Sequence, residues 1–472
     1  MKQVNTRSEV QSPLSRRSLV LRAGGGGALA GLATLLAACG GAAGGTGGSG
    51  DAIAQGRSTR EVTLRWSTWG DGANLFNQVA VPNGIKLLAQ KFPKIKIEPE
   101  PQLTGWAEKN QTEWIAGTGP DLSGHCCQHG PVWARQGLLY NMEPGLKRDV
   151  PTRIREDFVD CLLKLFHSPE AGQFALPMYT GTIALYYNKD AFQKRGVAFP
   201  DGTWDWNKYR EAATKLTRAG ENIYGRRLIT SYDRTMQRLH ANGAGWVDPK
   251  DDTKPVFDSP KALEALRYEH EAGHKDKSAI REGVADLFPA GAGKNIYQAF
   301  ADGTYAMMEE GSWILARMTQ ENNIPGNVQW DVAPIPRGPG GRVSLATNDG
   351  WSIWKGSKAT DEAWELMKFL IGDEWNEIAS RDGGQQSGRK SYQDRWEKLI
   401  KEANPKLATT NLTPFKEGIT KNEARPIELF RKHMEATKIV NDTLITASLR
   451  DGKQSPDASA REAADLVRAL HK

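Results

Sequence analysis

The stretch Gln173–Trp206, QFALPMYTGTIALYYNKDAFQKRGVAFPDGTWDW, decides how this chain is read. A short apolar run, Phe174-Ala175-Leu176, is stopped by Pro177, which has no N–H to give a central ladder. Tyr179-Thr180-Gly181-Thr182 reads as a polar turn, and Ile183 to Tyr187 as an apolar strand. Asn188 closes that strand. Asp190 to Arg195 reads as a short helix ended by Gly196, and Thr203 as the N-cap of a helix opening Trp204-Asp205-Trp206. Two strands around an exposed turn, followed by capped helices, would carry the backbone out of one lobe into another.

Upstream, Val62-Thr63-Leu64-Arg65-Trp66 alternates as a half-buried strand, and Trp69-Gly70-Asp71-Gly72 is the loop beyond it. A helix over about Asn74 to Phe92 and a strand Ile95-Lys96-Ile97-Glu98 complete a βαβ-like opening. A second helix, about Trp106 to Ala116, precedes Gly117-Thr118-Gly119-Pro120-Asp121-Leu122 and a loop, His125-Cys126-Cys127-Gln128-His129. In open α/β sheets ligands gather beyond the carboxyl ends of strands, which marks both loops as candidate contact sites. Downstream, Asp258-Ser259-Pro260 opens a helix with Pro at its first position. Asp331 to Pro336 reads as a strand reaching a Pro/Gly turn, and beyond Gly383 the chain looks helical to a final amphipathic run, Ala458–Leu470.

These segments resemble one family. The Leu-Pro at 176–177, Tyr187-Asn188-Lys189-Asp190, Gly196, Pro200 and Thr203-Trp204-Asp205 follow the interlobe crossing of extracellular solute-binding proteins, the receptors of ABC importers, in their sugar-binding branch. Gly117 to Leu122, Phe300 to Met308 with Gly311-Ser312-Trp313, Asn348 to Ile353, Lys355 to Lys358 and Ala363 to Leu370 continue the likeness over roughly residues 62–375. The resemblance implies an α/β, two-lobed, type II periplasmic-binding-protein fold with a central cleft and hinge. Lobe I would be 61–178, with 348–380 returning to it. Lobe II would be 183–335, with the 386–472 helical tail mostly packing on it. The hinge would lie in strand crossings near 176–183 and 336–348.

Residues 1–38 read as an address. Ser15-Arg16-Arg17-Ser18-Leu19 resembles a twin-arginine export signal, and Leu36-Ala37-Ala38-Cys39 matches a lipobox that would leave Cys39 as the lipidated N-terminus. Residues 39–60 then form a Gly-rich tether. The chain is expected to be exported and lipid-anchored at the outer face of the cytoplasmic membrane. The formal charge of +6 comes largely from this leader, whose own balance is +4, so charge gives no case for a nucleic-acid partner. Cys126, Cys127 and Cys161 leave a disulfide, vicinal or to Cys161, as an open choice.

The ligand candidates are Trp69, Asp71, His125, Gln128, Tyr179, Trp313, Asp349 and Trp351. Sugar rings present apolar C–H faces that stack on indoles, and their hydroxyls need polar partners beside them. In sugar-binding relatives the tryptophans matching Trp313 and Trp351 stack on ligand. Asp121, in the Pro-Asp motif, reads instead as a loop-fixing residue. His270-Glu271-Ala272-Gly273-His274 formally matches HExxH, but Gly273 reads as a terminator that would leave His274 outside the helix. Adjacent cysteines suit one tetrahedral ion poorly, so the 125–129 cluster carries no metal expectation. Gly293-Lys294-Asn295 lacks the first glycine and the Ser/Thr of a P-loop. The expectation is therefore a monomeric binding protein without cofactor, catalytic residues or metal. It would serve a carbohydrate and deliver it to ABC permease subunits. The alternatives are a zinc-dependent hydrolase built on HEAGH and a carbohydrate-active lipoprotein enzyme.

Overall fold

The computed structural model describes Ile53 and residues 60–70, 75–281 and 295–472. Ten strands form one mixed sheet: β1 (Val62–Thr68), β2 (Ile95–Pro101), β3 (Leu122–His125), β4 (Leu176–Asn188), β5 (Tyr224–Arg227), β6 (Ala279–Ile280), β7 (Tyr305–Gly311), β8 (Trp330–Ala333), β9 (Ser344–Ile353) and β10 (Ala424–Arg425). Along the sheet the order is β6-β5-β7-β4-β9-β3-β1-β2, with β8 also on β4 and β10 also on β9. β1 runs parallel to β2 and β3, whereas β4 and β9 run antiparallel to each other.

β4 is the spine of the molecule, and all its residues are buried. Its first half pairs with β9, from Leu176 opposite Trp351 to Thr182 opposite Ala346. Its second half pairs with β7, from Ile183 opposite Gly311 to Tyr187 opposite Met307, and with β8 on the other side. The polar turn expected at Tyr179–Thr182 is thus uninterrupted strand. Tyr and Thr are good strand residues, and their polarity is answered locally. Gly181 N donates to Thr347 Oγ1 at 3.0 Å, and Thr180 N donates to the Gln386 carbonyl at 2.9 Å. Pro177 is accommodated by a bulge: Tyr179 faces Asp349 and Pro177 faces Gly350, which leaves Met178 without an opposite residue.

Other local differences have equally local causes. The first long helix begins as a π-wound turn, Phe76–Ala80, and becomes α-helical over Val81–Lys91. Pro82 lacks the N–H a regular start would use at that point. The helix Trp206–Leu216 is capped by Asp205, whose Oδ1 accepts from Lys208 N at 2.9 Å, while Thr203 bonds to Asp201 instead. Asn188 caps Lys189–Arg195 by accepting from Ala191 N, and Gly196 ends that helix at φ +64°. The helix Pro260–His274 runs through Gly273 without stopping. That glycine lies against the Leu228 and Arg281 side chains, so its small size serves packing.

Two groups of cores flank the crossing. Around β1–β3, Trp66 meets Trp351 edge-on at 5.3 Å and Trp375 at 5.7 Å. Each such pair is worth ~0.5–1.5 kcal/mol beyond its burial. On the other side, helices Trp206–Leu216, Tyr232–Ala241 and Pro260–His274 pack over β4, β5, β7 and β8. The C-terminal segments join these cores: Leu444 and Val467 pack with Leu263 and Leu266, and Trp396 and Phe415 with Tyr186 and Met308. The outcome is a two-lobed α/β fold joined by β4 and β9.

The second lobe also buries an ionic chain. Arg226 reaches Glu269 at 2.9 Å, Arg238 reaches Glu269 and Glu309 at 2.5 Å each, and Gln237 donates to Glu309 at 2.9 Å. Burial works against the charge on Glu269, but the two guanidiniums more than offset it and hold its pKa below the ordinary value. Tyr209 and Trp206 close over Arg226 and Arg238 at 5.2 and 5.3 Å.

Candidate ligand-binding site

A cavity of about 780 Å³ lies where β4 and β9 pass between the lobes. That volume is within the range of small-molecule sites, ~300–1,000 Å³. Its floor is Tyr179 on β4 with Leu345 to Thr347 and Asp349 on β9. One wall is Trp69 beyond β1 and Cys126-Cys127-Gln128 beyond β3, and the facing wall is Thr230 to Asp233 and Trp313. The helix His433–Ile439 and the π-wound Val440–Arg450 complete it with Thr437, Asn441, Asp442 and Thr446. A second cavity of about 470 Å³ shares Trp69, Tyr179 and Trp313, so these three rings form a partition between two compartments.

Trp69 and Tyr179 meet edge-on with centroids 5.6 Å apart, and both donate side-chain hydrogen bonds to Asp349. Asp349 faces Tyr179 across the β4–β9 ladder, so the bulge beside it fixes this pair at the floor. Burial pushes the Asp349 carboxyl up to about 7, against those two hydrogen bonds. The histidines nearby are held neutral by burial, His433 at about 4 and His129 at about 4.

Trp313 sits on the turn that follows β7. Its six-membered ring lies against the backbone of Gly181 and Gly311, where added methyl groups would come within 2.3 and 1.9 Å. Arg234 lies 5.1 Å over the ring and is itself held by Glu310 at 3.0 Å and Asp233 at 2.5 Å. The indole is therefore clamped, and clamping lowers the ordering cost of any stacked ligand.

Five of the expected residues border the cavity together: Trp69, Gln128, Tyr179, Trp313 and Asp349. Two expectations are corrected. Trp351 has no exposed surface and belongs to the Trp66 core, with its ring packed on Gly124. It follows the bulge into the lobe, where apolar burial decides its place. His125 is also fully buried and is the last residue of β3, its Nε2 2.8 Å from Ser352 Oγ and its pKa lowered to about 3 by burial. Asp71 lies outside the described residues. Asp121 is a fixing residue: it accepts from Arg65 N at 2.9 Å and Ser357 Oγ at 2.6 Å.

Sequence reasoning missed Tyr232 and the C-terminal wall. Tyr232 stacks on Trp246 at 4.9 Å, and no local motif marks it. In the HEAGH segment, the rings of His270 and His274 lie tilted with centroids 4.5 Å apart on a continuous helix, while Glu271 pairs with Arg210 at 2.7 Å and His274 Nε2 bonds the Leu449 carbonyl at 3.0 Å. Among the described residues no group of three His, Cys, Asp or Glu is placed to hold a metal ion. Cys126 and Cys161 are free thiols.

A two-lobed fold with an aromatic cavity at the strand crossing defines a binding protein of the periplasmic type. Residues 76–377 match the family model described as bacterial extracellular solute-binding protein, and the chain belongs to that family. A chain named as a binding protein of Brucella abortus (strain 2308) is 26% identical over 287 residues, 59% of this chain. The match spans 64% of that relative's length. Among solved structures, an ABC substrate-binding protein of Listeria monocytogenes in complex with cycloalternan matches with TM-score 0.73 at 17% identity, covering 86% of this chain and 98% of that one. Maltose-bound MalE3 of T. maritima matches with TM-score 0.68 at 21% identity, covering 87% and 100%.

Proposed function

We propose that this protein is the receptor of an ABC importer, capturing a sugar or oligosaccharide in the interlobe cleft and handing it to a membrane permease. The observation that carries this reading is the cavity bounded by Trp69, Tyr179 and Trp313 with Gln128, Asn441 and Asp349 beside them. Rings supply stacking surface for C–H faces, and the neutral amides and hydroxyls select hydroxyl pattern. The cycloalternan and maltose bound in the two structural neighbours support the same class.

Its work is binding rather than catalysis. Residues 61–178 with 348–380 act as one lobe and 183–335 with the 386–472 tail as the other. Ligand touching both walls favours the closed form by its differential affinity. Asp71 is included as a contact from the loop beyond β1. Export through the twin-arginine leader and lipidation at Cys39 keep this monomeric receptor at the outer face of the membrane, beside its permease.

A thermal-shift screen of the purified protein against mono- and oligosaccharides, polyols, amino acids and zinc tests this. A ligand at a hundred times its Kd adds about 2.7 kcal/mol. A raised midpoint with a saccharide that Trp313→Ala abolishes supports the reading, and a response to zinc alone contradicts it. Loss of lipid labelling in Cys39→Ser, with export retained, checks the anchor.

A further inference from the structure

The charges around the cavity do not balance. Asp233 is paired with Arg234 and accepts from Ser231 Oγ, and Asp442 is paired with Lys438. Asp349 is buried, and among the described residues no lysine, arginine or histidine forms an ion pair with it. Its partners are neutral donors, the Tyr179 hydroxyl and the Trp69 indole N–H. The groups facing it from the neighbouring elements are Tyr179 on β4 and Cys126 and Trp69 in the adjoining wall. His433, Lys438 and the Asp233–Arg234 pair lie farther round the cavity.

We propose that the solute carries a protonated amine, as an amino-sugar unit, with its ammonium seated on Asp349 between Trp69 and Tyr179. This rests on the sugar-receptor reading and narrows it. A lone carboxylate taken out of water is costly unless a cation answers it. A neutral hydroxyl offers this site only a further hydrogen bond, of the kind Trp69 and Tyr179 already donate. An ammonium supplies the missing charge and gains from the aromatic faces beside it. Arg234 over Trp313 shows a cation already resting on one of these rings, from the side of the second compartment. Because the pair forms only in the bound state, the ammonium ties ligand charge to cleft closure.

The proton balance gives the test its sign. Below about 7 the empty site holds Asp349 protonated, so seating an ammonium releases that proton and affinity falls as pH drops. Calorimetric titration would compare glucosamine and its β-1,4 dimer with glucose, maltose and the N-acetylated forms, at pH 7.5 and 5.5. The expected result is binding of the amines at least tenfold tighter than their N-acetyl counterparts at pH 7.5, and at least tenfold weaker at pH 5.5. Asp349→Asn should erase the preference, and the pH comparison in the wild-type protein decides the question even if that variant does not fold. Neutral saccharides binding as well as the amines, without pH dependence, would overturn the inference and leave the sugar reading standing. No saccharide of either kind binding would overturn both.

Discussion

The backbone of Gly181, on the strand that joins the lobes, lies flat against the indole of Trp313. A methyl group at Gly181 would come 2.3 Å from Trp313 Cε3 and 2.7 Å from Thr347 Oγ1. Gly181→Ala must move the indole, the β9 hydroxyl or both. Overpacking of this kind costs ~1–3 kcal/mol. The expected outcome is a loss of that size in urea unfolding together with saccharide affinity reduced about tenfold or more, since ~1.4 kcal/mol of lost contact is a factor of ten.

Trp313 and Trp351 should behave in opposite ways. Trp351→Ala opens a cavity between Trp66, Phe76 and Gly124 and is expected to cost ~3–5 kcal/mol of stability. Trp313 is partly exposed on the cavity wall, so Trp313→Ala should spare most of the stability and remove ligand binding. Urea denaturation and ligand titration on the two variants separate core from site.

The ionic chain in the second lobe makes an acid-sensitivity prediction. Glu269 has a lowered pKa, so its stabilising contribution is present above the unfolded-state value and is lost as pH falls through the folded one. Thermal midpoints followed downward from pH 7 should drop below about pH 4.5 in the wild type, and Glu269→Gln should flatten that slope. Glu269→Ala, which leaves Arg226 without its carboxylate partner and Arg238 with only Glu309, should cost ~3–5 kcal/mol at neutral pH.

Asp349 contributes with the opposite sign. Its folded pKa is raised to about 7, so the ligand-free protein binds more protons than the unfolded chain between about 4 and 7. Stability from this group is complete below the unfolded value and lost as pH rises through 7. The midpoint difference between wild type and Asp349→Asn, measured without ligand from pH 4 to 8, should shift in that direction.

Much of the fold could be read from local pattern. Alternation gave β1, the run Trp106–Ala116 gave its helix, and the family resemblance of Asn348–Ile353 located the end of β9. What local pattern could not show was a bulge, because Pro177 looks like a stop until Gly350 is known to lie opposite. Asp349 and Trp351 share one face of β9, and two residues along the strand separate the cavity floor from the core around Trp66. The C-terminal wall was illegible for a different reason. Thr437 comes from the short helix His433–Ile439, and Asn441 and Thr446 follow on the π-wound segment Val440–Arg450, whose spacing departs from the 3.6-residue period used to read a face.

The central claim is that this cleft binds a saccharide without transforming it, with Trp313 as its stacking platform. The most direct measurement is a calorimetric titration of the wild-type protein and Trp313→Ala with the saccharide selected by thermal shift, followed by recovery and mass analysis of the bound sugar. The account predicts saturable one-to-one binding, at least tenfold weaker in the variant, and a sugar released intact. Equal affinity in the two proteins, or a cleaved sugar, would contradict it.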